Sequence, residues 1–94
     1  MTSPRDSENE IFGRHLRELR LARHLTQPDL AVRCKSTVPH ISNMERGVLA
    51  PSFNMLLRLA EGLDCRVCEL VEPFDRDRSQ PSRSRKELSS RKKL

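Results

Sequence analysis

Cys65 and Cys68 are the most reactive side chains close together in this sequence, spaced as Cys65-x-x-Cys68. That spacing suits a thiol–disulfide couple or one half of a structural zinc site. A structural zinc takes four ligands, normally from two such pairs. Cys34 and the three scattered histidines, His15, His24 and His40, complete no such pattern. A free cysteine otherwise packs as a small hydrophobe. No metal and no cofactor are therefore expected. An odd number of cysteines without a secretory context also argues against a disulfide framework. The sequence has no glycine-rich phosphate loop, no nucleophile motif and no paired-carboxylate pattern, so an enzyme is not expected.

Charge is the other chemistry that composition offers. The 94 residues carry a formal net charge of +5. Ten basic and ten acidic residues cancel over 1–72, whereas 73–94 hold eight basic residues against Asp75, Asp77 and Glu87. The whole excess lies in the tail, so nucleic-acid binding by the folded part must rest on pattern rather than charge. The length suits one domain. No apolar run approaches the ~20 residues of a membrane span, and Met1 to Glu10 is polar and acidic, unlike a signal peptide. The expected setting is a prokaryotic cytoplasm, associated with the nucleoid and not with a membrane.

Helical periodicity supplies the elements that must position any site. Ser7 and Glu10 have capping-box spacing ahead of a helix from Glu8 to about Arg23. Ile11, Phe12, Leu16, Leu19 and Arg20 fall near one stripe of it. Thr26 can cap a second helix, with Pro28 in its first turn, Asp29 complementing the dipole, and Leu30, Ala31 and Cys34 as its apolar face. Thr37 can cap a third, with Pro39 in the first turn, Ile41, Met44 and Glu45 inward, and Gly47 as its stop. Ser52 caps a fourth carrying Phe53, Leu56, Leu57, Leu59 and Ala60, with Gly62 expected at its end. One more short helix fits between Leu63 and Val71. Nothing alternates as a strand does. After Pro73 the composition turns to Arg, Ser and Lys and buries too little to offset ordering entropy.

Two short helices about three residues apart form either an ordinary hairpin or a DNA-reading helix-turn-helix. The order of residue types separates these. Leu19-Arg20, Thr26-Gln27, Leu30-Ala31, Ile41-Ser42, Glu45-Arg46-Gly47 and Pro51-Ser52 together resemble the Cro and phage-repressor-like helix-turn-helix family. The resemblance runs from about Phe12 to Val71 and needs no gap between Thr26 and Gly47.

The resemblance implies an all-α fold, a compact five-helix bundle with a disordered basic tail. Residues 1–7 would be an arm, 8–72 the DNA-binding domain and 73–94 the tail. It implies a recognition helix from Val38 to Arg46 whose Val38, Pro39, His40, Ser42 and Asn43 face base edges, with Asn43 suited to adenine. Gln27, Arg46, Ser52 and Arg23 would meet phosphates. Arg20 and Glu45 would form a buried structural ion pair, and Leu57, Cys68, Val71 and Phe74 a dimer surface. Cys34 and Cys65 would occupy buried apolar positions. Three residues depart from the family pattern: Lys35 stands where glycine is usual, Ser36 where a small apolar residue is usual, and Pro39 removes hydrogen bonding from a reading position.

The implied function is sequence-specific binding of double-stranded DNA by a homodimer on a palindromic operator, usually as a repressor. Phage or plasmid repressors, restriction–modification controllers and antitoxins all use this domain. The alternative is a protein-interaction module of the same fold, such as an antitoxin or regulator subunit, whose partner is a toxin or RNA polymerase.

Overall fold

The computed structural model describes residues 7–76, and within them six helices follow one another without a strand: α1 Glu8–Ala22, α2 Gln27–Arg33, α3 Val38–Glu45, α4 Phe53–Leu63, α5 Val67–Leu70 and α6 Glu72–Arg76. The arm up to Asp6 and the basic tail beyond Arg76 lie outside the described residues.

Local chemistry sets where the first four helices begin. Ser7 Oγ accepts from the Glu10 N–H at 3.1 Å while Glu10 Oε1 accepts from the Ser7 N–H at 3.0 Å. Thr26 and Asp29 close the same reciprocal box on α2, at 3.1 and 2.9 Å. Thr37 caps α3 through the His40 N–H, and Ser52 caps α4 through the Met55 N–H. Each cap satisfies donors that a helix start would otherwise leave unpaired. Pro28 and Pro39 sit in first turns, where a missing N–H costs no intrahelical bond.

Burial then selects one face of each helix. Phe12, Leu16 and Arg20 form the inner stripe of α1, four residues apart. Leu30, Ala31 and Cys34 from the α2 segment, Ile41 and Met44 from α3, and Met55, Leu59, Ala60 and Leu63 from α4 complete the core with Leu70. α3 packs on α1 and α2, and α4 packs on α2 and α5. Complete burial of a leucine-sized side chain contributes about 1.5–3 kcal/mol.

The structure differs from the sequence reading in the last third of the domain. Gly62 does not end α4; it lies inside the helix, and a Cβ there would stand 3.2 Å from the Arg33 Cβ and 3.3 Å from the Cys34 Cβ. Close approach of α2, not chain reversal, explains that glycine. Asp64 takes the left-handed cap at φ 55°. The short helix expected between Leu63 and Val71 is α5, and a further one, α6, follows it across the boundary expected after Glu72, where Phe74 packs against the core. Phe53 and Leu57, expected among the apolar residues of α4, are 70% and 42% exposed.

Candidate nucleic-acid interface

α3 is anchored on one side and open on the other. Ile41, Met44 and Glu45 are buried, whereas Val38, Pro39 and Arg46 are exposed and His40, Ser42 and Asn43 are half-exposed. All five residues expected to face bases therefore lie on accessible surface of one helix, with Arg46 at its C-terminal cap.

The turn before α3 fixes its start. The Lys35 N–H bonds the Val32 carbonyl at 3.2 Å and the Ser36 N–H bonds the Ala31 carbonyl at 2.8 Å. Lys35 sits at φ 59°, the left-handed region in which glycine is usual and a side chain costs about 1 kcal/mol. Ser36 Oγ lies 3.1 Å from His40 Nδ1, so the polar residue in the turn holds the imidazole through that nitrogen.

Glu45 is the anchor of α3. Its carboxylate accepts from Arg20 Nε at 2.6 Å and Arg20 Nη2 at 3.0 Å, a bidentate pair in which both side chains are nearly inaccessible. Arg20 Nη1 also donates to the Leu25 carbonyl at 2.9 Å, tying in the loop before α2. Gln27 Nε2 donates to Glu45 Oε1 at 3.0 Å. The amide nitrogen of half-buried Gln27 has two N–H donors, of which this bond uses one. A carboxylate at a helix C-terminus opposes the macrodipole, and the guanidinium compensates it.

At the outer edge, Arg46 Nη2 donates to Asn43 Oδ1. Ser52 is exposed at the start of α4, its hydroxyl oxygen engaged by the Met55 N–H at 3.0 Å and its proton available to an acceptor. Arg23, expected beside these at a phosphate, is instead half-buried. Its Nε donates to the Leu63 carbonyl at 2.5 Å and its Nη1 to the Leu19 carbonyl at 3.1 Å, joining the end of α1 to the end of α4. The structure gives Arg23 a role within the fold.

Of the residues expected at a dimer surface, Leu57 and Cys68 are exposed, while Val71 and Phe74 are half-buried against the core. Sequence reasoning passed over Val48 and Leu49 and did not foresee the exposure of Phe53; the three are exposed at 59%, 42% and 70% around the α3–α4 loop. It also missed His15, whose Nε2 lies 2.6 Å from the Glu69 carbonyl and joins α1 to α5.

The three cysteines are free thiols: Cys34 buried, Cys65 half-buried and Cys68 exposed. Burial pushes the Cys34 thiol above its ordinary pKa. Burial and then the neighbouring Glu69 do the same at Cys65. Among the described residues, no group of three or more His, Cys, Asp or Glu side chains is placed to hold a metal ion. No helix among them is long and apolar enough to cross a membrane.

Known proteins share this arrangement. A transcriptional regulator of the helix-turn-helix type from Deinococcus deserti, DdrOP3, is 40% identical over 57 residues, 61% of this chain and 44% of its own length. An uncharacterized regulator of the same type from Sinorhizobium fredii is 33% identical over 60 residues, 64% of this chain and 31% of its own. The chain thus spans less than half the length of these curated relatives. Among solved structures, the restriction–modification controller protein C.AhdI from Aeromonas hydrophila superposes with a TM-score of 0.66 at 36% identity, covering 67% of this chain and 96% of that one. The clp gene regulator ClgR from Corynebacterium glutamicum gives 0.66 at 25% identity, covering 69% and 84%. With Thr26-Gln27, Leu30-Ala31 and Glu45 in the positions just described, and with the family model for the helix-turn-helix domain matching residues 11–72, the chain belongs to the helix-turn-helix domain family.

Proposed function

We propose that this protein is a sequence-specific regulator of transcription that binds double-stranded DNA as a homodimer and represses by occupying a palindromic operator. The observation that carries the reading is α3: a capped helix, locked inward by Ile41, Met44 and Glu45, that presents Val38, Pro39, His40, Ser42 and Asn43 along its open side. A helix with that profile fits the major groove, where Asn43 can pair with the N6 and N7 edge of adenine and Val38 can meet a thymine methyl. Gln27, Arg46 and Ser52 flank it with donors suited to phosphate oxygens. The likeness to a restriction–modification controller over nearly that protein's whole length supports the regulatory reading.

A domain this small reads few base pairs, so two copies on a two-fold site are expected. Phe53 and Leu57 stand one helical turn apart on the outer side of α4, and the exposed Cys68 follows on α5, which supports self-association through these helices. Selection from a random duplex pool, followed by gel shifts, tests the function. A symmetric enriched sequence bound by two chains is expected; no enrichment over random duplex overturns the reading. Leu57→Glu should lower self-association in sedimentation equilibrium and operator affinity together.

A further inference from the structure

We propose that Arg46 is a positioning residue for base readout, holding the Asn43 carboxamide in the one orientation that reads adenine. The inference rests on the reading of α3 as the recognition helix.

A carboxamide is nearly symmetric in shape, and its terminal torsion is broad and roughly two-fold. Adenine is not symmetric toward it. The N6 amino group must meet Oδ1 and the N7 acceptor must meet Nδ2. The flipped amide sets donor against donor and acceptor against acceptor. An unrestrained asparagine therefore gives up part of its binding free energy to select one of two states when the base arrives.

Arg46 removes that choice. A guanidinium carries only donors, so it can bond the oxygen of the carboxamide and never its nitrogen. Arg46 Nη2 donates to Asn43 Oδ1 across one turn of α3. Both ends of the clamp are themselves held. The Arg46 N–H bonds the Ser42 carbonyl at 3.0 Å, and the Asn43 carbonyl accepts the Val48 and Leu49 N–H groups at 2.9 and 3.3 Å. A carboxamide oxygen has two lone pairs, so Oδ1 has the capacity to accept from Arg46 and from adenine N6 together while Nδ2 donates to N7. The positive charge beside Oδ1 favours the oxygen over the nitrogen at that place.

An arginine that only meets phosphate behaves otherwise: its loss weakens all sequences about equally. The two roles separate in a discrimination profile. The full chain, bound to its selected operator and to every single-base-pair variant of it, would be compared with Arg46→Met, Arg46→Lys, Asn43→Ala and the double variant, each checked for an unchanged circular dichroism melt. The position that Asn43 reads is the one whose preference disappears in Asn43→Ala. The proposal expects Arg46→Met to lower discrimination at that position by about tenfold, within the range of one bidentate base contact. Other positions keep their preference, Arg46→Lys restores part of it, and the double variant loses nothing further there. A uniform loss across all sequences in Arg46→Met, with Asn43→Ala still selective in its effect, overturns the positioning role alone. Unchanged discrimination in both single variants overturns the recognition-helix reading and the proposal with it.

Discussion

The backbone carbonyl of Glu45 lies so close to Gly13 that a Cβ added to the glycine would stand 2.4 Å from that oxygen, and as near to the carbonyl of Met44. α1 and α3 therefore touch backbone to side-chain-free backbone at the C-terminal end of the proposed recognition helix. Gly13→Ala should gain up to about 1 kcal/mol of helix propensity and lose more to overpacking, for a net destabilisation of about 1–3 kcal/mol in chemical denaturation. Because the displaced element is α3, operator affinity should fall further than stability alone accounts for. A Gly13→Ala variant as stable as the parent would count against so close a contact.

Glu45→Ala removes the carboxylate that answers a buried guanidinium and accepts from Gln27. The expected loss is about 3–5 kcal/mol, because Arg20 remains inside without its partner. Replacing both members, Arg20→Met with Glu45→Leu, should cost less than Glu45→Ala alone. Urea unfolding of the single and double variants measures the difference.

Lys35 holds a left-handed backbone that its side chain disfavours. Lys35→Gly should raise the unfolding free energy by up to about 1 kcal/mol, whereas Lys35→Ala should not. Equal stability of the glycine and alanine variants would show that the turn carries no such cost.

The raised thiol pKa values of Cys34 and Cys65 give stability an alkaline limb. An unfolded cysteine releases its proton near pH 8.5, while the native protein keeps these two protons to higher pH. The native state then binds more protons than the unfolded one, so stability is flat below about pH 8 and falls as pH rises through 9 toward the folded values. Urea midpoints at pH 7 and 9.5 should differ by less in Cys34→Ala than in the parent. At pH 7 a thiol reagent should label exposed Cys68 first and buried Cys34 only on unfolding.

The helix starts were legible because their signals are local. Ser7 with Glu10, Thr26 with Asp29, Thr37 and Ser52 each act within three residues, and all four caps form. The inner faces of α2 and α3 followed from spacing, and the Arg20–Glu45 pair from the family resemblance. What escaped depends on residues distant in sequence. Gly62 resembles a helix stop until α2 is seen against it, and Arg23 resembles a free surface cation until the Leu63 carbonyl is placed beside it. Gly13 did leave a trace: a glycine in a helix interior is costly, and close approach of another backbone is its usual reason.

Four arginines of the described domain, Arg20, Arg23, Arg33 and Arg58, direct guanidinium donors at its own backbone, while Arg14, Arg17, Arg46 and Arg66 stand on exposed surface. Arg20 and Arg23 bond carbonyls of the helix ends and of the loop they bridge, Arg33 Nη1 donates to the Gly62 carbonyl at 3.2 Å, and Arg58 Nε donates to the Cys34 carbonyl at 3.0 Å. Each guanidinium keeps further N–H donors for a second acceptor, but the carbonyl it already serves fixes where those donors stand. On a DNA duplex such a domain would displace fewer condensed counterions than its arginine count implies. The slope of log affinity against log salt for residues 7–76 should then be shallow, about 0.9 per phosphate engaged, because only a cation that meets a phosphate adds to it.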